Sequence, residues 1–268
     1  MDGLENKGVG EIAYYVQYIL IVTLIMNNFT DIISLIKNSI QTLIDFINML
    51  LPILVSLMIA TGNVVFANII QPILLFLITF IGNLVITVII PFLLAATVLS
   101  IVSKISDRVQ LDKLSKLFKS SIIWVLTLVL TLFAGIVSLE GSLSNKVDEV
   151  TTKTAKAAVS NLIPVVGKIL GDTIDTVIGC GGILKNAVGT VGIIVIIGIC
   201  IKPIVKLLIF MLLYYLLSAI AQPIADKKII GLLEQIGDTF KVLLAILCSI
   251  SMMLIIGITL IIKASSVG

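Results

Sequence analysis

Positions 46–103, between Asp45 and Lys104, hold 58 consecutive residues without a single Asp, Glu, Lys or Arg. A bilayer crossing needs about 20 apolar residues, so this stretch alone supplies two. A soluble core has no use for an uncharged run of that length. Only 12% of the 268 residues are charged and 59% are hydrophobic, against roughly 25% charged in soluble domains. The chain reads as an all-α polytopic membrane protein, a single integral membrane domain over 1–268.

Composition closes several chemical routes. Histidine is absent, which removes HExxH zinc sites, Ser-His-Asp triads and histidine proton relays. Cys180, Cys200 and Cys248 are odd in number and far apart, with no CxxC, so neither a disulfide framework nor a zinc knuckle is indicated. They read as small buried hydrophobes. A net charge of +3 is too small and dispersed for a nucleic-acid surface. No phosphate-binding loop of the G-x-x-x-x-G-K-[ST] type occurs. No catalytic residue, cofactor or metal site is expected, and the chain does not read as an enzyme.

Hydropathy and charge gaps predict about seven crossings, near 12–28, 48–66, 70–101, 120–139, 188–201, 204–221 and 242–262. The pair around Lys202-Pro203 is short and split by the proline. Pro52, Pro72 and Pro91 lie in or beside the early spans, as kinks and span ends or as parts of a gate. The first eleven residues hold Asp2, Glu5 and Glu11 against Lys7, the reverse of a signal peptide's basic start. Lys104, Arg108, Lys113, Lys116 and Lys119 cluster in the loop 104–119, which the positive-inside rule makes cytoplasmic. Seven spans then place an N-terminal tail, 1–11, outside, the loop region 140–187 outside, and the C-terminus with Lys263 in the cytoplasm.

Amphipathic stretches lie between these spans. In 31–47, Ile32, Ile36, Ile40, Leu43 and Ile47 form an apolar stripe opposite Asp31, Ser34, Asn38, Gln41 and Asp45. Around the basic loop, Leu111, Leu114, Leu117 and Phe118 recur at helical spacing. Within 224–241, Ile229, Leu233, Ile236 and Phe240 face one way and Lys227, Glu234, Asp238 and Lys241 another. Such helices lie in the headgroup plane or dock partner proteins, with Leu114, Phe118, Ile229, Leu233, Ile236 and Phe240 as the candidate contacts.

The segment 161–192 combines features found nowhere else in the chain. Pro164 and Gly167 open it, and Gly179-Cys180-Gly181-Gly182 interrupt it. Lys168, Asp172 and Asp175, at i, i+4 and i+7, share a helical face. Charges at membrane depth face a cavity, a partner charge or water. A Gly-broken pair of half-helices persists there only when buried in protein or lining such a cavity. One reading is a re-entrant hairpin with hinge residues Pro164, Gly167, Gly179, Gly181 and Gly182, lining a polar path through Lys168, Asp172, Asp175 and Lys185. The other is an outer interfacial helix followed by a glycine turn. An intramembrane aspartyl protease does not fit, because the G-x-G-D spacing is missing.

The run Ile163-Pro164-Val165-Val166-Gly167-Lys168, followed by Asp172, Asp175-Thr176-Val177 and Leu184-Lys185-Asn186, resembles the stage III sporulation protein AE family. Gly10-Glu11-Ile12-Ala13-Tyr14, Leu99-Ser100-Ile101-Val102-Ser103, Lys153-Thr154-Ala155-Lys156 and Ala221-Gln222-Pro223 extend the likeness, in order, over 10–264. The resemblance implies a multi-pass protein of the mother-cell membrane around the forespore. It implies partners too: a separate ATPase, ring-forming subunits and a forespore membrane protein, joined in a transenvelope channel. It also implies a preceding secretion signal and exported segment, so this chain is expected to be a piece of a longer protein. It transfers no catalytic residues.

Two functions follow as expectations. One is a permease-like transport component energised by the ATPase partner. The other is a membrane scaffold whose amphipathic helices recruit partners while no solute crosses it. Lipid is a partner under both and self-association is possible under both, although no sustained heptad or small-xxx-small stripe stands out.

Overall fold

The computed structural model describes residues 2–105, 111–136 and 166–263, with side chains described at 15–104 apart from Phe66, at 111–136, at 176 and at 179–263. All regular structure among them is helical: α1 (Asp2–Ala60), α2 (Val64–Leu84), a π-helical turn (Val85–Ile89), α3 (Ile90–Ile105), α4 (Asp112–Ile136), α5 (Val166–Ala221) and α6 (Lys227–Lys263).

Among the described residues, five helical stretches are long and apolar enough to cross a membrane: Tyr15–Ala60, Ala67–Lys104, Asp112–Ile136, Gly179–Ala221 and Lys227–Lys263. Seven were expected, and the difference has two causes. The stretch 31–47 is helical and joins the spans expected at 12–28 and 48–66 into α1. Pro203 lies inside α5 rather than ending it; a proline removes one backbone hydrogen bond, and packing tolerates that in a long helix. Only two continuous helical stretches therefore precede the basic loop, so the exterior N-terminus, inferred from three spans, does not follow from them. The 46-residue and 43-residue stretches are about 70 and 65 Å long at 1.5 Å per residue, more than twice the ~30 Å hydrocarbon core.

Local breaks have local reasons. Between α1 and α2, Gly62 takes φ 86°, where a Cβ would be strained. Asn63 N–H donates to the Met58 carbonyl (3.0 Å) and Gly62 N–H to that of Ile59 (3.1 Å), which caps the carbonyls that α1 leaves unpaired at its end. The π-turn ends at Ile90, whose N–H reaches back five residues to the Val85 carbonyl. Pro91 follows directly, and the widened turn accommodates a ring that would otherwise press on a carbonyl four residues back.

The chain packs as two compact units. The first comprises Met1–Ile40, Leu84–Leu126 and Ile201–Cys248. Its core centres on Phe240, with ring centroids of Phe29, Phe210 and Tyr214 at 5.8, 5.6 and 5.4 Å. Ile32, Ile36, Ile229, Leu233 and Ile236 are buried in it, so the apolar stripes expected to lie in headgroups or meet partners are spent on internal packing. Phe118 stacks on Phe92 at 4.3 Å. α4 departs furthest from expectation: Leu114 and Leu117 are 40% and 57% exposed, while Ser115 and Lys119 face inward. Beside lipid, leucine loses nothing by pointing out, whereas hydroxyl and ammonium groups must find partners inside.

The second unit comprises Gln41–Asn83, Thr127–Cys200 and Ser249–Gly268. Leu43, Ile47, Leu54, Met58, Leu74, Phe133, Leu254 and Ile258 form its core.

Candidate functional site

Lys185, in the second unit, is completely buried, and among the described residues its ammonium has no hydrogen-bond partner. It lies one helical turn from Gly181 and one from Gly189, on a face of α5 that continues to Gly192. A Cβ on Gly181 would come within 2.8 Å of Thr61 Cγ2, one on Gly189 within 2.5 Å of Ile262 Cδ1, and one on Gly192 within 2.6 Å of Leu50 Cδ2. Side chains of Leu50 in α1, Thr61 just past its end and Ile262 in α6 thus occupy the space a Cβ would take at the three glycines, on the face of α5 that carries the buried lysine. An ammonium without partners in such surroundings carries a desolvation cost of several kcal/mol.

Of the expected polar path, only Lys185 has a described side chain. Lys168, Asp172 and Asp175 are helical positions of α5, but their side chains lie outside the described residues, and Pro164 lies outside them altogether. α5 runs unbroken through Gly167, Gly179, Gly181 and Gly182, so the expected re-entrant turn is not present there. Glycine weakens a helix by only about 1 kcal/mol, and Gly181 is needed for close approach rather than for a bend. At 100° per residue, Lys185 stands about 80° around the helix from the Asp175 position.

A second polar cluster, in the first unit, was not anticipated. Asp112 takes the Lys104 ammonium on Oδ2 (2.5 Å) and the Gln235 amide on Oδ1 (3.0 Å). The Gln235 carbonyl accepts from Lys119 Nζ (2.8 Å) and Thr239 Oγ1 (2.9 Å). Thr239 meets Thr97 at 3.3 Å, and Ser115 donates to the Ala96 carbonyl at 2.8 Å while pairing with Ser100. Ser103 accepts from the Leu111 N–H (3.0 Å), and Tyr215 donates to Asp238 (2.8 Å). This network ties α3, α4 and α6 together with most valences filled, as a fastening rather than a reactive centre; the side-chain carbonyl of Gln235 stays unpaired among the described residues. Its sequence signal is the i, i+4 polar pair inside an apolar helix, as in Ser115/Lys119 and Gln235/Thr239. Among the described residues, no three Cys, Asp or Glu side chains come together to hold a metal ion.

Removing Asp112 tests the fastening. The Lys104 pair is partly exposed, 20% and 36% for the two side chains, and such a pair contributes at most about 1 kcal/mol. The Gln235 amide, left buried without its acceptor, adds roughly 1–2 kcal/mol. Asp112→Ala is expected to cost about 2 kcal/mol in detergent unfolding, and a double-mutant cycle with Lys104→Ala should assign less than half of that to the ion pair.

The family model for stage III sporulation protein AE matches residues 1–265 of this chain. The stage III sporulation protein AE of Bacillus subtilis (strain 168) is 32% identical over 265 residues, which cover 99% of this chain and 66% of that protein. The chain thus spans just under two thirds of that relative's length. No solved structure matches it.

Proposed function

Because the chain belongs to the stage III sporulation protein AE family, we propose that it is the permease-like membrane subunit of a transenvelope complex between mother cell and forespore. A separate ATPase and ring-forming proteins are its partners on this reading. Solute passes beside α5, and Lys185 is the polar group that meets it. The observation that supports the reading is the buried Lys185 ammonium, which has no hydrogen-bond partner among the described residues. A buried charge that did nothing would be replaced at no cost by a methionine, since apolar substitutes of similar volume are often neutral or stabilising.

A scaffold without a path is favoured by a different observation. α5 presents Ile197, Leu212, Leu216 and many other large apolar side chains outward over about 65 Å of helix, more surface than one bilayer core covers.

Reactivity at position 185 separates the two. In a chain with Cys180, Cys200 and Cys248 replaced by Ala, Lys185→Cys within the assembled complex is expected to react with a small membrane-impermeant thiosulfonate. Reaction only after the complex is unfolded in detergent would favour the scaffold.

A further inference from the structure

The outward face of α4 changes character along its length. Lys113, Lys116, Ser120 and Trp124 stand at i, i+3, i+7 and i+11, and Leu128 and Leu132 continue the line; Trp124 is 66% exposed. With Leu117 and Ser121 the first four line an open groove of about 570 Å³. Two ammonium groups, two hydroxyls, an indole and then leucines follow the order of chemistry met on passing from a headgroup layer into hydrocarbon. The ammoniums pair with no carboxylate among the described residues. Asp112, the nearest acid in sequence, is already committed to Lys104 and Gln235.

We propose that this groove holds the phosphodiester headgroup of an anionic phospholipid, with Lys113 and Lys116 on the phosphate, Ser120 and Ser121 donating hydroxyl hydrogen bonds, and Trp124 packed on the upper acyl chain. Lysine stems lie along apolar surface while their heads stay at the headgroup level, and basic residues beside a span draw anionic lipid. Such a lipid fixes the depth of α4. The site is independent of Lys185, which belongs to the other unit.

Trp124 is the only tryptophan in the chain and therefore reports on its own groove. The full chain is reconstituted in bilayers containing either brominated phosphatidylglycerol or brominated phosphatidylcholine, at constant ionic strength. Trp124 quenching is expected to show a preference of up to about thirtyfold for the anionic lipid, from two lysines near the surface. Lys113→Gln with Lys116→Gln should abolish the preference while quenching by the zwitterionic lipid persists, and Lys113→Arg with Lys116→Arg should keep it. Equal quenching by the two lipids in the unaltered chain, or a preference surviving the Gln pair, overturns the proposal. Loss of the preference on adding inorganic phosphate in place of chloride would assign the groove to a free anion, and absence of quenching by either lipid would assign it to protein. Each of those results overturns it as well.

Discussion

Lys185→Met is expected to abolish spore formation by orders of magnitude while the protein still inserts, accumulates and assembles. Methionine nearly matches the lysine stem in volume, so packing between Gly181 and Gly189 is preserved. The buried ammonium, with no partner among the described residues, is removed together with its desolvation cost. Stability should therefore stay level or rise by roughly 1–4 kcal/mol. Spore yield and stability moving in opposite directions is the signature of a charge kept for use. Heat-resistant spore counts, read beside membrane levels of the protein and recovery of the proposed complex, make the measurement. Normal counts would mean the charge is dispensable.

Gly189→Leu is expected to cost about 3 kcal/mol or more, at the upper end of what overpacking does. Even a Cβ there meets the Ile262 side chain, with that of Ile258 behind at 3.6 Å, and a leucine must drive both aside. Gly192→Leu should behave alike, because its Cβ would meet Leu50 at 2.6 Å. Gly198 lies on the same helix with nothing within 4 Å of a Cβ, so Gly198→Ala should be neutral or gain up to about 1 kcal/mol from helix propensity. Unfolding in detergent, followed by proteolysis or thermal loss of monomer, distinguishes the three. Equal tolerance at positions 189 and 198 would mean that α5 does not approach α6 as closely as described.

The membrane class was legible in the 58-residue uncharged run, and the apolar stripes in their helical periodicity. Ile32, Ile36, Ile40, Leu43 and Ile47 are all buried, as are Ile229, Leu233, Ile236 and Phe240. What covers them was not legible: an amphipathic face looks the same whether it rests on headgroups or on another helix. α4 shows the opposite difficulty. Its leucines mark a stripe in sequence, yet Ser115 and Lys119 turn inward because their partners, Ala96, Ser100 and Gln235, are distant in the chain. Glycine and proline misled in the same direction. Gly179–Gly182 and Lys202-Pro203 read as breaks from local propensity, but α5 continues through them. The charge of Lys185 is visible in the sequence, whereas its burial is not: it lies on the face of α5 where Thr61, Ile262 and Leu50 reach the neighbouring glycines. That juxtaposition exists only in three dimensions.

The most direct measurement is a map of the chain in the assembly proposed for it, at a resolution that shows ordered water around α5. A transport role requires water or solute density within hydrogen-bonding distance of Lys185 Nζ, continuous with a lumen reaching either face of the membrane. An ammonium sealed by aliphatic side chains, with no such density and no lumen beside it, would contradict that role and leave the chain a scaffold.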